Sequence, residues 1–203
     1  LANLFREEVD ADSLRELQAM RFPTATGNAK VDEGYHLLYD YLKTAWDDSV
    51  TELAIDFVRT FIGHGVNAYW AAYPDESVYT SERRLMMQEA RADVYRRFCE
   101  ARVAVDEGLR TPEDHLSFEF EFMAAQAGEQ ARALHAGDTA AAASALRTQR
   151  EFHRDHLLNW IDAYCDCLQS CAQTRFYRGV AKLTRGFVHM DEDMMDDAAE
   201  TLC

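Results

Sequence analysis

Helix-breaking residues are what this chain lacks: three prolines (Pro23, Pro74 and Pro112) and nine glycines stand in 203 residues. Between them the sequence is rich in Ala, Leu, Glu, Gln, Arg and Met, the residues that lose least on entering a helix. So few obligatory turns imply an all-α fold, a single-domain bundle of roughly seven or more helices joined by short connections. The length suits one compact domain, and an apolar content of 48% is enough to fill a core.

Apolar spacing places the helices. Residues 12–21 read as a short helix, capped by Asp12 or Ser13 and stopped near Pro23, with a loop over 23–30. Tyr35, Leu38, Tyr39 and Leu42 mark one face of a helix over 31–46, and Leu53, Phe57 and Phe61 the inside of another over 48–64, ended by Gly63 and Gly65. The stretch 67–80 holds Tyr69, Trp70, Tyr73, Pro74 and Tyr79 and has little periodicity; long irregular connections of this kind tend to carry function. Ser81 then caps a long helix to about Val105, with Leu85, Met86, Val94 and Phe98 on its apolar side, and Asp106, Glu107 and Gly108 close it.

Thr111, Pro112, Glu113 and Asp114 give a strong start signal: a hydroxyl cap, proline at the first helical position and carboxylates over the positive end of the dipole. That helix runs to about His135, where Gly137 and Asp138 break and recap the chain. Further helices are expected over 139–150, 152–171 and 176–188. The bundle is read as residues 1–190, followed by an acidic tail over 191–203 that adds one turn or frays.

The formal net charge is −15, six of it from Asp191, Glu192, Asp193, Asp196, Asp197 and Glu200, with no base after Arg185. Such a field repels nucleic acid and anionic membrane surfaces and attracts cationic partners. No uncharged apolar run approaches the about 18 residues of a membrane span, and the N-terminus, which begins with Leu, shows no charged-then-apolar leader. Five cysteines, an odd number, fit a reduced, cytoplasmic setting.

Seven histidines invite a metal. A di-iron bundle needs two Glu-x-x-His pairs, and the chain offers one, Glu33 with His36; the residue three before each other histidine is never Glu. His153 and His156 share a helical face near Asp155, but a structural zinc site wants four closed ligands. Cys165 and Cys167 point about 200° apart on a helix, so buried small hydrophobes are the expected role of the cysteines. No phosphate-binding glycine loop and no nucleophile elbow is present. A metal-dependent helical enzyme built on His115, His153, His156 and nearby carboxylates is the rival reading.

The distinctive segment runs from Thr111 to Met123. At helical spacing Leu116, Phe120, Met123 and Ala127 form one apolar side; Asp114, Phe118 and Glu121 a second; His115, Glu119 and Phe122 lie beside them. Acidic groups flanking those rings are sheltered, and sheltered carboxylates want a cation, best a guanidinium. Alternatively His115 pairs with Glu119 and Asp114 caps its own helix. The residues alone leave both open.

These residues carry a resemblance. Glu76-Ser77-Val78-Tyr79-Thr80-Ser81-Glu82 with Leu85-Met86-Met87-Gln88-Glu89, then Pro112-Glu113-Asp114-His115-Leu116 with Glu119-Phe120-Glu121-Phe122-Met123, then Phe152, His156, Trp160, Phe176 and Tyr177, resemble in content and order the TorD/DmsD-type chaperones of molybdoenzyme maturation. The resemblance spans roughly residues 35–190 and leaves the first 30 unmatched. It implies an all-helical cytoplasmic chaperone, not an enzyme, that holds the twin-arginine leader of a molybdopterin oxidoreductase subunit (the dimethyl sulfoxide or trimethylamine N-oxide reductase kind) until its cofactor is loaded. Family binding positions fall on Tyr79, Pro112, Asp114 and His115, with Trp70 in the groove. Such a leader carries two adjacent cations and then an apolar stretch; Asp114, Glu119 and Glu121 are expected to take the cations, and Trp70, Tyr73, Tyr79, Phe118 and Phe122 the apolar part. No cofactor is expected, although the resemblance alone would allow a weakly held guanine nucleotide. A monomer or an element-swapped dimer is anticipated.

Overall fold

The structure, a computed structural model, describes residues 1–23, 25–63, 71–104 and 110–202. Among these, every regular element is helical: α1 (Ala2–Arg6), α2 (Ala11–Ala19), α3 (Ala29–Leu42), α4 (Asp47–Phe57) continued by a π-helical turn (Val58–Ile62), α5 (Glu76–Thr80), α6 (Glu89–Glu100), α7 (Leu116–His135), α8 (Thr139–His156), α9 (Ile161–Cys171) and α10 (Arg175–Leu202). The expected all-α fold is what the chain adopts. No helix among the described residues is long and apolar enough to cross a membrane. The helices group into two compact units, one built mainly from residues 3–74 and 161–187, the other mainly from 75–160 and 188–203.

In the first unit, aromatic rings form the centre. Phe61 meets Phe5, Phe57 and Tyr177 at centroid distances of 5.9, 5.0 and 5.4 Å, and Phe5 also meets Tyr164 at 5.9 Å. Helices α3 and α10 approach so closely that glycine is required: a Cβ at Gly34 would lie 2.6 Å from the Leu183 nitrogen, and one at Gly186 2.8 Å from the Val31 nitrogen. The start of α10 is tied to α4 by Asp56, a buried carboxylate that accepts from the Gln173 amide at 3.1 Å and the Thr174 amide at 2.7 Å. These donors satisfy the oxygens of a carboxylate taken out of water.

In the second unit, α7 and α8 form an antiparallel hairpin. Gly137, at φ 73°, turns the chain, and Asp138 caps α8 through the Ala141 amide at 2.9 Å. Phe122 stands between Phe98 and Phe152, 5.1 and 4.3 Å away, and with Leu116, Phe118 and Met123 fills the core.

Several helix boundaries differ from the sequence expectation. Asp10, rather than Asp12 or Ser13, caps α2. The long helix expected from Ser81 is two: α5 ends at Thr80, residues 81–88 are irregular, and α6 begins at Glu89. Left-handed backbone at Arg84 (φ 50°) and Met87 (φ 59°) interrupts it, so Leu85 and Met86 are exposed instead of forming an apolar side. Its expected end near Val105 lies outside the described residues, as do Gly65, Tyr69 and Trp70. Helix α7 starts at Leu116, and Pro112 precedes it rather than opening it. The acidic segment continues α10 as helix to Leu202, with Arg150 holding Asp196 at 2.6 Å.

Gly34→Ala is expected to destabilise the protein by about 1–3 kcal/mol, because backbone rather than a side-chain tip must yield. Gly128→Ala, where the nearest obstacle is the end of the Arg132 side chain at 3.5 Å, should stabilise by about 0.5–1 kcal/mol through helix propensity. Urea denaturation of the two variants measures the difference in sign.

Candidate functional site

Helix α5 is one turn long and cannot hold itself together in water. Its first amides are satisfied from a distance. The main-chain oxygen of Asp114 accepts from the Glu76 amide at 2.9 Å, and Asp114 Oδ2 accepts from the Ser77 amide at 3.0 Å and from the Ser77 hydroxyl. Ser77 Oγ in turn accepts from the Gln88 amide at 3.0 Å. Asp75 pairs with His115 in an isolated antiparallel bridge. Asp114 thus caps a helix 37 residues earlier instead of the helix that follows it, a task left to His115, whose Nδ1 accepts from the Ser117 amide at 3.2 Å.

Behind this cap are carboxyl groups sealed from water. Glu119 is 0% exposed; burial, then the negative charges of Glu76 and Asp114, push its carboxyl well above the usual range. Burial, then the charge of Asp114, pushes Asp75 up to about 7. Glu76 is buried too but meets donors at both oxygens: Asn159 Nδ2 donates to Oε1 at 2.7 Å, and His156 Nδ1 lies 2.9 Å from Oε2. The other ring nitrogen of His156 lies 3.1 Å from Asp93 Oδ2. One imidazole therefore stands between a carboxylate of α5 and one of α6. Trp160 closes the inner side, its Nε1 donating to the His156 carbonyl at 2.6 Å, and Tyr79 stacks on it at 5.4 Å.

In front of His156 opens a cleft of about 700 Å³ whose walls carry Glu76, Glu82, Glu89, Asp93 and Asp155, with Arg83 and His156 as the basic side chains lining it. Asp155 is held below the ordinary carboxylate range, first by its hydrogen bond from Arg154. Asp93 is also lowered: partial burial opposes ionisation, but the Arg96 hydrogen bond and the charges of His156, Arg96 and Arg97 prevail. Glu82 and Glu89 are exposed, and among the described residues neither is in an ion pair. The cleft is anionic, and its unneutralised charge is at the rim.

Of the residues expected to bind, the second unit brings Tyr79, Pro112, Asp114, His115 and Glu119 around α5, all buried or half-buried. Phe118 and Phe122 are core side chains, 4% and 1% exposed, and Glu121 is on the exposed side of α7. Tyr73 is half-buried in the first unit, and Trp70 lies outside the described residues. Of the histidines in the metal reading, His153 donates or accepts at the Val188 carbonyl, 3.0 Å away, and burial pushes it down to about 4. No group of three or more His, Cys, Asp and Glu side chains among the described residues could hold a metal ion. Glu76, Glu82 and Glu89 stand in the resemblance motif and Asp155 beside the histidines, but sequence reasoning marks none of them, nor Asp93, as a cleft acid, since a continuous helix from Ser81 spreads Glu82, Glu89 and Asp93 around a solvated surface. The missing signal was the break after Thr80.

A family model described as nitrate reductase delta subunit matches residues 26–166. The chain is 30% identical over 151 residues to the chaperone protein TorD of Vibrio cholerae, covering 74% of this chain and 65% of that protein. It is 25% identical over 199 residues to the chaperone protein TorD of Vibrio parahaemolyticus, covering 94% of this chain and 88% of that protein, and 25% identical over 204 residues to that of Vibrio vulnificus, covering 96% and 91%. The chain thus spans 65% of the length of the Vibrio cholerae relative.

Asp114→Ala leaves the Ser77 amide and hydroxyl without their acceptor and is expected to cost about 1–3 kcal/mol in urea denaturation; an unchanged midpoint would mean that α5 starts without this cap. The pH dependence of stability tests the buried acids. Asp75 titrates near 3.8 when unfolded and about 7 when folded, so the folded chain holds the proton more tightly. Stability present below about pH 4 is lost as pH rises towards 7. His153, moved from 6.5 to about 4, acts in the opposite sense: its contribution is present above about 6.5 and is lost as pH falls towards 4. Asp75→Asn removes one of the falling slopes, Glu119 supplying another of the same sense, and should raise stability at pH 8 by on the order of 2–4 kcal/mol.

Proposed function

The chain belongs to the nitrate reductase delta subunit family, and on that premise we propose that it is a cytoplasmic chaperone, not an enzyme, that binds the twin-arginine leader of a molybdopterin oxidoreductase subunit and holds it back from export while the cofactor is inserted. The observation that carries this reading is the anionic cleft of about 700 Å³ in front of His156, with two rim carboxylates, Glu82 and Glu89, that form no ion pair among the described residues. A leader presents adjacent guanidinium groups, each a planar fork matched to a carboxylate. The net charge of −15 draws such a peptide in from a distance, and the cleft gives it a register.

The division of labour differs from one in which sheltered acids take the cations. Glu119 and Asp75 hold their protons more tightly than exposed carboxylates do and offer a guanidinium less charge. Asp93 and Asp155 are ionised but already engaged by Arg96, Arg97 and Arg154. Glu82 and Glu89 are the free partners. Asp114 supports the site by fixing where Glu76 and Gln88 stand.

Isothermal titration with a synthetic twin-arginine leader tests the reading. Binding should weaken with added salt, and Glu82→Gln with Glu89→Gln together should weaken it about tenfold, the effect of about 1.4 kcal/mol from two largely exposed charge-assisted contacts. Lysines in place of the peptide's arginines should also lose affinity. Heats that ignore both substitutions, or no binding to any twin-arginine leader, would remove the proposal.

A further inference from the structure

The connection between α5 and α6 is not built like a connection. Turns that need left-handed backbone ordinarily use Gly, Asn or Asp, yet here Arg84 and Met87 adopt φ values of 50° and 59°. Three consecutive large apolar side chains, Leu85, Met86 and Met87, are 52%, 41% and 56% exposed. The segment is pinned at both ends: the Arg84 amide donates to the Ser81 carbonyl at 3.2 Å, and the Gln88 amide to Ser77 Oγ at 3.0 Å. A pinned loop that spends unfavourable backbone to keep apolar groups in water is a surface awaiting cover. Methionine suits such a surface because its unbranched thioether adapts to the shape of what covers it.

The charge around this loop says what the cover is. Glu82 precedes the apolar triplet and Glu89 follows it, and both line the anionic cleft. An occupant must therefore present cations and apolar groups side by side. We propose that Leu85, Met86 and Met87 are the docking surface for the apolar stretch of a leader peptide whose paired cations occupy the cleft. The inference rests on the leader-binding reading and adds to it the second half of the contact and its register. Glu82 and Leu85 are three residues apart, at most about 10 Å along the chain, so an extended peptide bridges them with about three residues. The leader's side chains three or four positions beyond its second arginine then cover the triplet.

Photo-crosslinking decides the matter on the unmodified protein. A twin-arginine leader carrying benzoylphenylalanine three or four residues after the second arginine is irradiated with the full chain, and the adducts are mapped by mass spectrometry. The expected adducts fall on residues 85–87 and disappear with excess unlabelled leader. In parallel, the combined variant Leu85→Ser, Met86→Ser, Met87→Ser should bind the leader about tenfold more weakly. Adducts elsewhere, or wild-type affinity in the serine variant, overturn the docking surface while leader binding itself stands. A concentration-dependent dimer that the serine variant loses, with leader affinity unchanged, assigns the loop to a second copy of the chain and overturns the inference as well. If no leader binds, the functional reading falls and takes the docking surface with it.

Discussion

The cap that Asp114 places on α5 is the interaction on which the rest of the site depends. A one-turn helix has no internal means of staying formed, and Asp114 supplies main-chain and side-chain acceptors for the amides of Glu76 and Ser77. Ser77 extends the hold to Gln88, so one carboxylate fixes both the start of α5 and the far end of the loop that follows. The direction of Glu76 into the cleft, the contact of its carboxylate with His156 and the position of Glu89 one residue beyond Gln88 all inherit their geometry from it.

That same charge sorts the neighbouring acids. Several carboxyl groups close together in a poorly hydrated space do not all ionise. The charge of Asp114 is a cause of the raised positions of both Asp75 and Glu119, whereas Glu76 is provided with Asn159 and His156. The buried acids thus serve the fold, and the exposed Glu82 and Glu89 stand at the cleft where water reaches them. An unpaired buried charge costs far more than an exposed contact returns, so the interior is a poor place to keep the ligand's counter-charges.

How much of this could be read from the sequence follows from the range of the interactions. The all-α fold was legible because it rests on local preference: scarce proline and glycine, apolar residues at helical steps, and caps such as the Gly137–Asp138 turn. The break after Thr80 was not, because its left-handed residues are Arg84 and Met87, whose chemistry does not announce that conformation. The segment from Pro112 to Met123 was marked as special, and it is, but the role of Asp114 depends on a partner 37 residues away. Periodicity put Phe118 and Phe122 beside the acids; only packing against Phe98 and Phe152 shows that Phe122 is spent on the core.

Acidity by itself is ambiguous between solubility and recognition, and pairing narrows it. Part of the surface acid is neutralised by a base three or four residues away: Asp12 by Arg15, Asp40 by Lys43, Asp93 and Glu100 by Arg96, Glu129 by Arg132. Pairs of this kind contribute little to stability, but they remove charge that would otherwise compete for a cationic ligand. Among the described residues Glu82 and Glu89 form no such pair, and they flank the three apolar side chains that the fold leaves uncovered. Overall charge governs how fast a cation arrives; on the proposed reading, where it stops is governed by the carboxylates that flank the uncovered apolar triplet.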